Sequence, residues 1–551
     1  MGGYEPNPMP WDVSKIPDGF IFSLLDENWD QFEQLMEHAI VRVPALENTG
    51  VRTLTNGPES FTPDGNFILG EAPEIQNFFV GAGFNAYGIA SGGGAGKALA
   101  DWVVNGEQPM DLWSADIRRF SSLHNDKAWV RERTIEACSK HYDMAWPFEE
   151  YKSGRPRLTS PLYDRLQKHN ASFGSKLGWE RPNWFAPAGV EPTDQYSFGR
   201  QNWFSQVGEE HRACREKVAL FDQSSFAKFE LRGEGAESAL SWICANNVAK
   251  PIGSLIYTQM LNSRGGIECD LTVVRIAEDA YYIVTGTGFR THDAAWIRQN
   301  IPAGCVAELK DITEDWATLS LMGPHARDVL EKVVSSDVSN KVFPFGTYQN
   351  ILIAGHPVRA LRVTYMGELG WELHMPIKAS GEVYDSLYSA GQVFGIANAG
   401  YRAIESLRLE KGYRAWGADI TPSDSPSEAG LGWAVKLKSS VPFLGRDAAE
   451  SIANSSKKKV LCCFILDDPE VVLSGRETII RNGESVGYLS SAGWGYTVGK
   501  SIGYGYVRNA EGLDREYLET GSYELEVACN RIACDIHFSA PYDPKMEKIK
   551  I

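Results

Sequence analysis

Between residues 257 and 275 the chain reads YTQMLNSRGGIECDLTVVR, two β-favouring, apolar-rich runs separated by a Gly-Gly pair. The pattern predicts a hairpin, because Gly265 and Gly266 tolerate the positive φ of a tight reversal, and it puts Asp270 just beyond the turn, at the hairpin's mouth. Alternation returns in RVTYMGELGWELHMP (362–376), where Tyr365, Gly367, Glu368, Gly370 and Glu372 stand among apolar residues. Helical spacing takes over in NAGYRAIESLRLEKGYRAWGADITP (398–422), with Arg402 in the first turn.

Elsewhere the pattern divides the chain into stretches of different character. Near the start, NWDQFEQLMEHAIVRVPAL repeats Phe32, Leu35, Met36, Ile40 and Val43 at helical spacing. In residues 57–106, FFVGAG predicts a buried strand, SGGGAG a glycine-rich turn and GKALADWVV a helix. That order brings backbone N–H groups to a cofactor at a helix N-terminus, although the commoner use of such glycines is a turn or close helix packing. The run is neither a Walker A loop nor a GxGxxG followed by an acid. Proline and glycine punctuation through 107–195 predicts a connecting region, with His141 and His169 as surface or interface groups. Strands and helices mix in 196–455, and short strands with an Asn482-Gly483 turn in 456–551 predict a small β-barrel or sandwich.

Composition narrows the chemistry. The 551 residues suffice for about three or four domains, and 43% hydrophobic content is ordinary for full cores. A net charge of −17 with scattered Lys and Arg argues against a nucleic-acid partner. No apolar run reaches the ~20 residues of a membrane helix, and no targeting segment is visible in this chain. The nine cysteines form no CxxC pair, which predicts neither a disulfide framework nor a metal site and favours a reducing compartment. A lone Asp after a turn is ordinarily a solvated cap. Here an aromatic, a carboxylate and an arginine from separate segments also make a receptor for a flat, polar heterocycle.

In order and spacing, YTxML, GGIxxDLTV, YxGExGWE and RxxxSLRLEKG resemble the folate-binding module of the glycine-cleavage T-protein (aminomethyltransferase). The same module forms the C-terminal half of the sarcosine dehydrogenase and dimethylglycine dehydrogenase family, and GELGWELHMP, ITPSDSPSEAGL and VPFLGR are nearest to its sarcosine dehydrogenase branch. TPDG, a strand and GxGFNxxG likewise resemble the closing segment of a D-amino-acid-oxidase-like FAD domain. The resemblance implies an α+β chain: a remnant of that FAD domain (1–110), a connecting region (111–195), an aminomethyltransferase fold (196–455) and a C-terminal small β-barrel (456–551).

The opening MGGYEPNPMPW reads like mid-domain sequence, so the dinucleotide fingerprint and the flavin-bearing histidine are expected upstream of Met1, leaving the N-terminal FAD-binding part missing. The implied activity is flavin-dependent oxidative N-demethylation of sarcosine or dimethylglycine, with transfer of the one-carbon unit to tetrahydrofolate. Asp270 matches the family's essential carboxylate, Glu372 and Arg402 would grip the pterin edge, and Tyr257, Tyr365 and Trp433 would shape or stack on its walls. Gly83, Phe84, Asn85 and Gly88 would flank the FAD ring. Against these roles stands the possibility that Glu372 and Arg402 form a structural ion pair. The chain departs from the T-protein pattern at Cys269, where a second acid is usual.

The expected partners are an N-methylated glycine, folate and electron-transfer flavoprotein. The expected location is the mitochondrial matrix in a eukaryote and the cytoplasm otherwise. Two other readings are a non-catalytic relative resembling the regulatory subunit of pyruvate dehydrogenase phosphatase, and a stand-alone aminomethyltransferase. Asp270 speaks against the first and the block at 57–106 against the second.

Overall fold

The computed structural model describes residues 3–4, 7–11 and 15–551. The chain divides into two compact units, Met1–Arg155 and Pro156–Ile551.

In the first unit, helix α1 (Trp29–Arg42) starts at Asn28, whose side chain accepts from the Gln31 N–H, and it buries none of its residues. An antiparallel pair, β1 (Ile68–Glu71) and β2 (Phe79–Ala82), packs on α2 (Gly88–Asn105) through Leu69, Ala95 and Ala115. Gly70, at φ +113°, admits the Trp102 ring to a place where a Cβ would stand only 2.6 Å from it. The SGGGAG run lies inside α2 and not in a turn ahead of it, which corrects the sequence expectation. Gly83, Asn85 and Ala86 make the reversal at positive φ, so the helix begins at Gly88. A mid-helix glycine costs about 1 kcal/mol, which a helix anchored by Trp102 and Ala98 sustains. Helix α3 (Lys127–Ser139) follows, capped by Asp126.

The second unit opens with β3 (Leu158–Thr159), α4 (Tyr163–Lys168), β4 (Ala171–Lys176) and β5 (Trp179–Phe185), three of them strands of one sheet. The sequence pattern does not announce these strands, because buried Ser172, Glu180 and Asn183 interrupt the apolar alternation. After α5 (Phe204–Glu216) come β6 (Ala219–Asp222), β7 (Ala227–Arg232), α6 (Ala236–Ile243), β8 (Leu255–Leu261), β9 (Ile267–Ala277) and β10 (Ala280–Thr285). Then follow α7 (Arg290–Asn300), β11 (Glu308–Asp311), β12 (Trp316–Met322), α8 (Ala326–Val333), β13 (Tyr348–Ile353), β14 (His356–Leu361) and β15 (Gly370–Pro376). The chain continues through α9 (Ser380–Gly391), β16 (Ala397–Asn398), α10 (Tyr401–Lys411) and α11 (Arg446–Asn454). Strands β17 (Lys457–Leu466), β18 (Thr478–Arg481), β19 (Glu484–Gly495), β20 (Lys500–Leu513), β21 (Tyr523–Val527) and β22 (Asn530–His537) close into a barrel.

Two sheets carry the site: five strands in the order β11-β7-β10-β9-β8, and six in the order β13-β14-β15-β12-β6-β16. Strand alternation gives each an apolar outer face. Phe229, Met260, Cys269, Leu271, Val273 and Ile283 of the first pack with α6 and α7 residues, and Leu220, Leu319, Val358, Leu373 and Met375 of the second pack with α8 and α9 residues. The inner faces therefore meet: Tyr282 Oη of β10 lies 2.9 Å from His374 Nδ1 of β15, and Val274, Tyr282 and Val284 share a core with Leu361. No helix of the described residues is long and apolar enough to cross a membrane.

Helix α10 joins these sheets to the barrel through buried charge. Arg408 donates to Asp419 (2.7 Å) and to Ser491 of β19 (3.0 Å), and Lys411 pairs with Asp543 (2.6 Å). Glu410 lies 3.2 Å from both His211 and Arg215 of α5 and accepts from the Thr497 N–H at 2.6 Å. Burial alone would raise the Glu410 carboxyl, but the His211 bond, the Arg215 charge and Thr497 hold it down at about 2. Its folded value thus lies below the ordinary 4.5, so its contribution is present above pH 4.5 and is lost as pH falls toward 2. The Glu410→Gln protein should be about 3 kcal/mol less stable at pH 7, a gap that narrows as pH falls below 4.5. Urea midpoints at several pH values check this, and a gap independent of pH would remove the carboxylate's charge from the account.

Candidate functional site

The β8–β9 hairpin is built as the sequence predicts in its turn and differently beyond it. Gly265 sits at φ +80°, and the Asn262 side chain accepts from the N–H groups of Arg264 (3.1 Å) and Gly266 (2.9 Å). A Cβ on Gly266 would stand 1.9 Å from the Pro422 oxygen, so only glycine lets the loop after α10 lie against the turn. Asn262, and not Asp270, caps this turn. Asp270 lies inside β9, paired in register with Gln259, which corrects its expected place at the hairpin's mouth. Because Met260, Cys269 and Leu271 fill the outer core, Tyr257, Gln259, Asp270 and Thr272 share the inner face.

Asp270 Oδ1 accepts from Tyr257 Oη at 2.5 Å and from Gln259 Nε2 at 3.2 Å. Burial pushes the carboxyl up to about 6 against the pull of these two bonds, and the like charge of Asp293 adds to the rise. Asp293 is itself held by the Thr285 hydroxyl (2.6 Å) and His292 (2.9 Å). Among the described residues, Cys269, His292 and Asp293 bring metal-ligand-type atoms within 4.8 Å of one another. The Trp433 indole stacks on Tyr257 at 5.5 Å and 29° and is 70% exposed, a flat apolar surface beside the carboxylate. Tyr365 donates to the Arg414 carbonyl (3.0 Å) and stacks on Tyr413 (5.9 Å), and Asp270's charge adds to the rise that burial causes in its phenol. Asp270, Tyr257 and Trp433 thus form one group, with Tyr365 in range of Asp270's charge.

Glu372 stands across the cleft. It is on the inner face of β15, in register with Ser320 and Leu361 and 3.5 Å from His374 Nε2. Burial pushes His374 down, so it is neutral at pH 7. The same burial brings Lys228 of β7 to about 7, with its Nζ donating to the Ser224 and Phe226 carbonyls at 2.8 Å each. Arg402 pairs with Asp194 and lies over the Trp203 ring at 4.4 Å. Glu372 thus has His374 as a partner, and Arg402 has Asp194 and Trp203. The sequence reading passed over Gln259, although counting outward from the Gly-Gly turn pairs it with Asp270. Nothing in the sequence signals Asp293 or Lys228.

In the first unit, Gly83, Phe84, Asn85 and Gly88 form the bend before α2. Asn85 is buried, donating to the Gly83 carbonyl (2.6 Å) and accepting from the Thr62 N–H (2.9 Å), and Phe84 stacks on Phe67 at 5.1 Å. Helix α2 has no side-chain cap, so the donor set at its N-terminus fits polar atoms of a bound cofactor.

The raised Asp270 pKa has a cost in stability. The folded value of about 6 exceeds the ordinary 3.8, so the penalty is absent below pH 3.8 and complete above pH 6. Asp270→Asn should melt higher than wild type at pH 8, by at most about 3 kcal/mol of stability, and no higher at pH 4. Melting curves at the two pH values test this; equal curves at both would place Asp270 at its ordinary value.

Residues 7–102 match the FAD dependent oxidoreductase family and 105–160 its central domain. Residues 162–439, just over half of the chain, match the GCVT N-terminal domain, and 459–543 the glycine cleavage T-protein C-terminal barrel domain. The expectation that the N-terminal FAD part is missing is therefore not borne out, since the match to that family begins at residue 7. Mitochondrial sarcosine dehydrogenase of Mus musculus is 41% identical over all of this chain, which spans 64% of that protein's length. Mitochondrial dimethylglycine dehydrogenase of Homo sapiens is 35% identical over 90% of this chain and 57% of its own. The crystal structure of glycine cleavage system aminomethyltransferase T from Bartonella henselae superposes with a TM-score of 0.59 at 25% identity, covering 70% of this chain and 98% of that one. With matches to the T-protein domain and its C-terminal barrel in the larger unit and an FAD-oxidoreductase match before them, the chain belongs to the GCVT family in its sarcosine dehydrogenase-like arrangement.

Proposed function

We propose that this chain carries the folate-binding and transfer half of a flavin-dependent oxidative N-demethylation of sarcosine or dimethylglycine. The observation that carries the reading is Asp270, poised near neutrality beside the exposed Trp433 face. FAD, when bound, supplies the oxidation of the N-methyl group. The released one-carbon unit is held by tetrahydrofolate as its methylene form.

Asp270 receives the proton that a folate amine sheds on accepting that unit, since a carboxylate with a pKa of about 6 exists in both forms near neutral pH. Tyr257 and Gln259 hold its Oδ1 fixed and leave Oδ2 to face the folate amine. Trp433 and Tyr365 offer faces for stacking, and Glu372 offers a carboxylate from the opposite sheet for the heterocycle's N–H edge. Arg402 acts through Asp194 and Trp203 at the start of α10. Gly83, Phe84, Asn85 and Gly88 would hold part of the FAD, and electron-transfer flavoprotein would take its electrons. The mitochondrial location of the named relatives supports the mitochondrial matrix as the setting in a eukaryote. Retention of Asp270 favours an enzyme over a regulatory relative, and the FAD-oxidoreductase match favours it over a stand-alone aminomethyltransferase.

In flavin-loaded protein given sarcosine or dimethylglycine and tetrahydrofolate, Asp270→Asn should leave flavin reduction nearly unchanged. It should slow transfer roughly 10²–10⁴-fold, so that free formaldehyde replaces methylene-folate as the product. Stopped-flow spectra and a formaldehyde assay read the two steps separately. Absence of amine-dependent flavin reduction in the wild type, or an unchanged product ratio in the variant, would refute the proposal.

A further inference from the structure

Two buried carboxamides in the cleft between the sheets are each bonded at one end only. Gln259 is fully buried; its Nε2 donates to Asp270, and its Oε1 has no hydrogen-bond partner among the described residues. An ionised carboxylate only accepts, so the Nε2 end is fixed on Asp270 and the open end is an acceptor. Gln223, 1% exposed, continues β6 beside Thr318, and its Oε1 accepts from the Ser320 hydroxyl while its Nε2 has no partner among the described residues. A serine hydroxyl can serve either end of an amide, so one end of Gln223 is open in both orientations.

Both carboxamides belong to inner faces of the two sheets. Gln223 lies on the inner face of the six-stranded sheet with Ser320, which is in register with Glu372. Gln259 lies on the inner face of the five-stranded sheet, in register with Asp270. Close to Gln223, Ser225 bonds Thr287 at 2.8 Å, just past the end of β10, where Thr285 holds Asp293 and Asp293 in turn acts on Asp270. A series of neighbours thus links Gln223 to Asp270, the residue that Gln259 bonds. A buried polar atom left unmatched is costly, so two of them on inner faces that meet mark a place suited to a polar ligand.

We propose that Gln223 and Gln259 are specificity determinants that read the edge of the reduced-folate heterocycle, an inference that rests on the folate reading above. The Gln259 acceptor takes a ring or amino N–H, and the Gln223 amide takes the complementary group from the opposite sheet. Neutral amides suit a neutral heterocycle, whereas a third carboxylate beside Asp270 and Glu372 would be repelled.

The test is calorimetric titration of the full chain with tetrahydrofolate and, separately, with p-aminobenzoylglutamate, which lacks the heterocycle. Gln223→Met and Gln259→Met should each bind tetrahydrofolate roughly 10-fold more weakly, the loss of about one hydrogen bond, with p-aminobenzoylglutamate affinity unchanged. Should a methionine variant fail to fold, Gln223→Asn and Gln259→Asn, which keep the amide but draw its open end back by one methylene, give the same readout. Affinities within twofold of wild type, or equal losses for both ligands, overturn this inference and leave the folate reading intact. A wild-type chain that binds no tetrahydrofolate overturns both.

Discussion

Helix α10 holds the second unit together by electrostatics that tolerate little displacement. Arg408, Glu410 and Lys411 are all buried, and each is matched by a partner on a different element: the loop at Asp419, α5 with the Thr497 turn, and the C-terminal segment at Asp543. A buried ion that loses its partner costs several kcal/mol, so these pairs fix where the barrel and the C-terminal tail sit relative to the sheets. The loop that leaves this helix carries Pro422 and Asp424, the contacts that pin the β8–β9 turn. Asp270 therefore inherits its position from a helix in which it takes no part.

The cleft sets polar groups among packed ones. Aromatic and aliphatic side chains around Tyr282 and His374 join the inner faces, Glu372 lies 3.5 Å from His374, and Asp270 and the half-bonded amides stand on the same two faces. That mixture gives the cleft its chemistry, since low polarity around a charge raises its energy. The rise of Asp270 and the fall of Lys228 and His374 express the same burial acting on groups of opposite sign.

Much of this was legible in the sequence. The Gly-Gly turn, the alternating strands on either side of it and the Asn482-Gly483 hairpin of the barrel follow from local rules that the structure obeys. Asp270 was legible as a residue but misplaced, because composition does not say where a turn ends and register begins: it forms the third pair of the ladder, after Ile267 and Cys269. The glycines of α2 misled because propensity is weak where tertiary packing decides. Strands β4 and β5 escaped because their buried positions are partly polar, and Asp293 and Lys228 because their effect on the cleft depends on distances between segments.

The pinned hairpin turn has a consequence for how the chain acquires its shape. The Ile267 carbonyl accepts from the Trp416 indole and its N–H donates to the Asp424 carbonyl, contacts between segments about 150 residues apart. Strands β8 and β9 can pair as soon as they leave the ribosome, but the loop that presses on Gly266 is made much later. Long-range closure of this kind is slow and leaves sheet edges open in the interval. The pocket around Asp270 is thus among the last parts of the molecule to mature, and a chain arrested before residue 424 would carry the hairpin without its setting.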